Sequence, residues 1–155
     1  MWQRAQTLYL AISVILIGVM FFASKAAVYG AEGVTQTYSF IEYIPFFILL
    51  VIIEALNILA LSCYKQRIFQ MRTTTLSAII TVAFQIWLLI DFFANKSEMV
   101  FRVTTIFPLF AVFFDILAIR GILADQLVVE SAEHLRRSRR QALAAKNKSN
   151  RKGRR

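Results

Sequence analysis

Four runs of apolar residues fix the solvent in which this chain can fold. A helix that crosses a bilayer needs about 20 mostly apolar residues. Four stretches supply them, at about 7–24 (TLYLAISVILIGVMFFAS), 44–63 (IPFFILLVIIEALNILALSC), 73–94 (TTTLSAIITVAFQIWLLIDFFA) and 103–122 (VTTIFPLFAVFFDILAIRGI). Between them lie a loop over 25–43 and two short links, YKQRIFQMR and NKSEMVFR. Links this short make neighbouring helices antiparallel. The expected fold class is therefore all-α. A four-helix transmembrane up-down bundle fills residues 1–125, and a basic, partly helical C-terminal cytoplasmic tail fills 126–155.

The charges agree with that division. Of the net +9, residues 1–129 contribute +1 and residues 130–155 contribute +8. Cytoplasmic loops of membrane proteins are rich in Lys and Arg. With the N-terminus inside, the inner side holds Arg4, Lys65, Arg67, Arg72, Arg120 and the ten basic residues of the tail. The outer side holds only Lys25, Lys96 and Arg102. The expected localisation is the bacterial inner (cytoplasmic) membrane, multi-pass, with both termini cytoplasmic. Aromatic anchors suit both interfaces, with Trp2 and Tyr9 inside and Tyr29, Tyr38, Phe40 and Tyr43 outside. The first run is longer than the 7–15 apolar residues of a signal peptide, so it reads as a span.

The opening QRAQTLYL, the link YKQRIFQMR and the run IFPLFAVFFDILAIRGILADQLVVESAEHLR resemble domain-of-unknown-function family four-two-nine-three, small four-span inner-membrane proteins of Bacteroidota. Where that family usually has Asp and Arg, in SADRLR, this chain has Glu133 and His134. The resemblance implies four membrane helices and no activity. Residues past Arg137 lie beyond the family core, and their role rests on their own chemistry.

Ionisable groups inside a span are costly and are functional candidates by default. Glu54 lies at the middle of the second run, and Gln85 at a similar depth in the third. Asn57 and Asp115 lie roughly 10 Å in from the cytoplasmic end at 1.5 Å per residue, and Ser13 and Thr81 sit near that level. Each run thus offers a polar group to one intramembrane layer. One reading is a small transporter or proton-conducting protein with Glu54 and Asp115 as relay carboxylates. The other is helix glue, at about 0.6 kcal/mol per interhelical hydrogen bond. Glu54 and Asn57 are three apart and share a face, which suits either. Glue is favoured, because transport sites usually need broken helices. Pro45 and Pro108 stand near the outer ends of their runs, and Gly18 is the only glycine deep in any. Asp91 is expected to be solvated near the outer surface.

No enzyme is expected. A single cysteine, Cys63, excludes an internal disulfide and a cysteine-built metal site, and the single histidine, His134, lies in the tail. No phosphate-cradling glycine loop, HExxH or GxSxG occurs. Catalytic, metal and cofactor sites are all read as none.

The tail keeps a helical pattern through Val128, Ala132, Leu135 and Leu143, predicting a helix to about Lys146 and a flexible end beyond it. On that helix Arg136, Arg137, Arg139 and Arg140 fan over roughly 160°, and Lys146, Lys148, Arg151, Lys152, Arg154 and Arg155 follow. Three readings compete: a solvated topology signal, adhesion to anionic lipid alone, and contact with RNA phosphates. From Gln126 onward there is no Trp, Tyr or Phe. An interfacial helix wants bulky apolar residues to insert, so RNA is favoured over lipid, through phosphate contacts with no DNA or base sequence specificity. The chain reads as a non-enzymatic accessory or scaffold subunit, part of a larger membrane complex, docking on ribosomal RNA through its tail.

Overall fold

The computed structural model describes residues 2–30, 33–63 and 66–152. Four α-helices dominate: α1 (Trp2–Met20), α2 (Ile44–Ser62), α3 (Arg67–Asn95) and α4 (Phe107–Lys152). A single 3-10 turn, Val103–Ile106, leads into α4. Three of the helical segments, Ile44–Ser62, Arg67–Asn95 and Val103–Gln141, are long and apolar enough to cross a membrane, and the apolar stretch of α1, Ala5–Met20, is shorter. The chain divides into two compact units, Met1–Ile122 and Leu123–Arg155.

The all-α expectation is corrected by a small sheet. β1 (Ser24–Gly30) and β2 (Gly33–Ser39) form an antiparallel hairpin, and β3 (Val100–Phe101) pairs with the other edge of β1, giving the order β2-β1-β3. The segment read as a loop over 25–43 is thus mostly strand. Two features drive this. Val28, Tyr29, Val34, Thr37 and Tyr38 favour a pleated backbone, and Gly33 takes φ +120°, open to glycine at no steric cost. The first run is correspondingly shorter than expected. α1 stops at Met20, and three tightened bonds, from the N–H groups of Phe21, Phe22 and Ala23 to the carbonyls of Gly18, Val19 and Met20, turn the chain into β1.

The other helices start where local chemistry allows. Pro45 occupies the first turn of α2, where its missing N–H costs nothing, and Tyr43 before it is extended (φ −96°, ψ 103°). α3 begins at Arg67, a turn and a half before the apolar run. It carries Thr73, Thr74 and Thr75 because each hydroxyl donates to the carbonyl four residues back, at 2.8–2.9 Å. The last helix passes the expected end near Lys146 and reaches Lys152. No proline or glycine interrupts the sequence between Gly121 and Gly153.

Packing inverts the usual distribution of a water-soluble domain. Large apolar side chains cover the outside, with Ile15 63%, Ile79 62% and Ile90 63% exposed, while Ser13, Asn57, Ser77, Thr81 and Asp115 are fully buried. That exterior, with three long apolar helices, is the character of a membrane protein. The interior is layered. Towards the sheet, Ile17, Met20, Phe40, Phe46, Leu50, Ile53, Phe84, Leu88 and Ala111 form the main core. Leu10, Ala60 and Ala118 form a second, smaller one. Between these positions along α1, α2 and α4 come Ser13, Asn57 and Asp115.

Candidate functional site

Helical spacing explains why polar groups meet at this level. Ser13 lies three residues after Leu10 and four before Ile17. Asn57 lies four after Ile53 and three before Ala60, and Asp115 falls likewise between Ala111 and Ala118. Residues three and four apart share a helix face, so each polar side chain shares the inward face of its core neighbours.

The contacts form a chain. The Ser77 hydroxyl of α3 donates to Asn57 Oδ1 of α2 at 2.6 Å. The Asn57 amide donates in turn to Ser13 Oγ of α1 at 3.3 Å. Ser13 also neighbours the Asp115 carboxyl of α4, although neither Asp115 oxygen has a hydrogen-bond partner among the described residues. Asn57 is thus the hub, using its acceptor towards one helix and its donor towards another. Ser77 is the residue that sequence reasoning missed. Depth counting chose Thr81, one turn away on the same face, whose hydroxyl instead donates to the Ser77 carbonyl at 2.8 Å and stays within its own helix.

The remaining expected members stand apart from this chain of bonds. Glu54 is half-buried, and Gly18 faces it closely enough that an added Cβ would lie 3.6 Å from Glu54 Oε1. Glu54 Oε2 and Gln85 Oε1 are buried without hydrogen-bond partners among the described residues. What the arrangement does chemically is therefore divided. Ser77, Asn57 and Ser13 tie three helices together, while three side chains hold acceptor oxygens with nothing to accept.

Side chains of α1 reach α4 on the side away from the sheet. Tyr9 stacks on Phe114 with centroids 6.3 Å apart. A Cβ added at Gly121 would stand 2.8 Å from Gln6 Cγ, so only glycine lets the buried Gln6 side chain lie there.

Asp91, expected to be solvated, is instead paired. Its Oδ2 meets Lys25 Nζ at 2.7 Å, with the side chains only 20% and 13% exposed. Its Oδ1 accepts from Asn95 Nδ2 at 3.0 Å. β1 carries Lys25 to α3, a juxtaposition that no local signal announces.

In the second unit, Arg136, Arg137, Arg139 and Arg140 are exposed on α4. The backbone of Lys146, Lys148, Arg151 and Lys152 is helical, but their side chains, and Arg154 and Arg155 altogether, lie outside the described residues. Among the described residues no group of three or more His, Cys, Asp or Glu could hold a metal ion.

Residues 2–135 match the family described as Domain of unknown function (DUF4293), and the chain belongs to that family. No curated protein and no solved structure matches the chain.

Proposed function

We propose that the protein is a four-span, non-enzymatic subunit of the bacterial inner membrane. Both termini face the cytoplasm, and the C-terminal basic helix docks on the phosphates of ribosomal RNA. The observation that carries this reading is the segregation of charge onto the C-terminal segment. Residues 130–155 hold +8 of the net +9, and the four arginines at 136, 137, 139 and 140 are all exposed. The apolar stretch of α1, Ala5–Met20, reaches about 24 Å at 1.5 Å per residue, short of the ~30 Å of a hydrocarbon core, so the fourth span rests on the Lys and Arg asymmetry of the connecting segments. The hydrogen bonds from Ser77 through Asn57 to Ser13 favour a scaffold, because they join helices without breaking any of them.

The test is sedimentation of the intact protein and of a truncation after Ala132 with ribosomes, in nanodiscs of neutral lipid, over a salt series. A protein engaging about 6–10 phosphates loses roughly a thousand- to hundred-thousand-fold in affinity between 50 and 200 mM salt. The intact protein should sediment at low salt, and the truncation should insert in the membrane yet stay behind. Equal sedimentation of the two would sink the proposal and leave the tail as a topology signal. Tight binding of the isolated tail to anionic vesicles, with poor competition by RNA, would assign it to lipid.

One observation favours a second reading, conduction of protons or ions. Among the described residues the fully buried Asp115 carboxyl has no partner for either oxygen, and Glu54 Oε2 is buried without a partner too. Buried acceptors left without partners are uncommon. Under this reading Glu54→Gln or Asp115→Asn would abolish function in a correctly inserted protein.

A further inference from the structure

A recess of about 390 Å³ opens where α2 begins and α3 ends, beside the hairpin. That volume is within the range of small-ligand pockets, about 300–1,000 Å³. Four aromatic side chains line it, Tyr38, Tyr43, Phe46 and Trp87, and three of their rings pack together. Tyr43 and Phe46 meet edge to face with centroids 4.9 Å apart, Phe46 and Trp87 at 5.4 Å, and Tyr43 and Trp87 at 6.2 Å. Lys25, Asp91 and Glu42 line it too.

The charges do not cancel. Lys25 and Asp91 neutralise one another across 2.7 Å. Glu42 is left without a cationic partner among the described residues, exposed, with one oxygen accepting the Ser39 backbone N–H at 3.1 Å. An uncompensated carboxylate beside three aromatic rings selects one kind of ligand. Ring faces attract a cation within about 6 Å of their centres, and the carboxylate supplies its counter-charge. The recess already treats one ammonium this way, for Lys25 Nζ stands 5.3 Å from the Phe46 centroid. An anion would be repelled by Glu42. A hard metal ion wants six or more oxygen ligands, which one free carboxylate cannot supply.

We infer that this recess binds an alkylammonium group, carried either by a soluble amine or by the aminoalkyl headgroup of a phospholipid. The headgroup source rests on the four-span reading, which puts the start of α2 and the end of α3 at the membrane surface. The soluble source does not. Neither depends on the tail.

The protein contains two tryptophans, Trp2 and Trp87. The Trp2→Phe variant therefore reports the recess alone. In nanodiscs of phosphatidylglycerol, tetramethylammonium or ethanolamine should change Trp87 emission saturably, while sodium chloride at equal ionic strength should not. In nanodiscs containing phosphatidylethanolamine, the same change present before titration identifies the headgroup as the source. Its absence there, with a saturable soluble response, identifies the free amine. Glu42→Gln keeps an acceptor for the Ser39 N–H and should weaken binding by about fivefold or more, the loss of a carboxylate near a cation at an open site. Tyr43→Leu should weaken it too, both variants being read at unchanged helical circular dichroism. A response to sodium equal to that for ammonium, no saturable response in either lipid, or full affinity in Glu42→Gln would each overturn the inference.

Discussion

Replacing Asn57 by leucine probes the contribution of the polar layer, because leucine keeps the same branched four-atom side chain and removes both hydrogen bonds at once. The two bonds differ. Ser77 to Asn57 is short at 2.6 Å, whereas Asn57 to Ser13 is long at 3.3 Å. Interhelical bonds in a membrane average about 0.6 kcal/mol and reach about 1.7, so losing two should cost about 1.2–3.4 kcal/mol. The freed serines limit the loss, since a helical hydroxyl can turn back to its own carbonyl four residues earlier. Most of the effect should come through the short bond, so Ser77→Ala should cost more than Ser13→Ala. Thr81→Val is the control. Its hydroxyl bonds only within α3, so the change should cost less than about 0.6 kcal/mol, the average for one interhelical bond. The measurement is reversible unfolding in mixed micelles with increasing dodecyl sulfate, followed by helical circular dichroism. A cycle of Asn57→Leu with Ser77→Ala should return a coupling of about 0.6–1.7 kcal/mol. Wild-type stability in Asn57→Leu, or zero coupling, would refute the claim that this layer joins the helices.

Four further outcomes are expected. Reporter fusions after Ala31 and Ser97 should face the periplasm and fusions after Gln70 and Arg155 the cytoplasm; a cytoplasmic signal at Ala31 would overturn the four-span reading. Under the scaffold reading Glu54→Gln and Asp115→Asn leave abundance and partner capture unchanged, which co-purification measures. Gly121→Leu should destabilise by about 1–3 kcal/mol through overpacking against Gln6, and adding Gln6→Ala should restore part of the loss in the same micelle titration. Lys25→Met should lower stability by about 1–3 kcal/mol because it strands the Asp91 carboxylate, and Lys25→Met with Asp91→Leu should be milder than Lys25→Met alone.

The helical part of this architecture was legible because apolar length is a direct physical requirement of a bilayer. Ser13, Asn57 and Asp115 were legible for a similar reason, since depth along a rigid helix follows from counting residues. Ser77 was not. A lone serine in a helix reads as a small filler, and only the shift of α3 along its axis against α2 decides whether residue 77 or residue 81 stands level with Asn57. The hairpin left a signal that length masked. SKAAVYG and GVTQTYS are short runs with β-branched and aromatic residues around a two-residue connection flanked by Gly30 and Gly33, yet they lay inside what reads as one long connection. β3 was illegible. Two residues carry no periodicity, and its pairing with Ala26 and Ala27 is set by where the helices deliver the chain. The Lys25–Asp91 pair followed the sheet into obscurity, because its partners lie 66 residues apart.

The order of strands in the sheet has a consequence for biosynthesis. β1 sits in the middle, and its second partner, Phe101, is synthesised 75 residues after Ala26. At about 5–20 residues per second the ribosome spends roughly 4–15 seconds between the two. Through that interval the hairpin can close, but one edge of β1 is bare, the condition that invites pairing with a foreign strand. Lys25 waits almost as long for Asp91. Assembly of this end of the molecule is therefore timed by translation, and a chain stalled before Val100 would present an open strand edge to whatever assists its insertion.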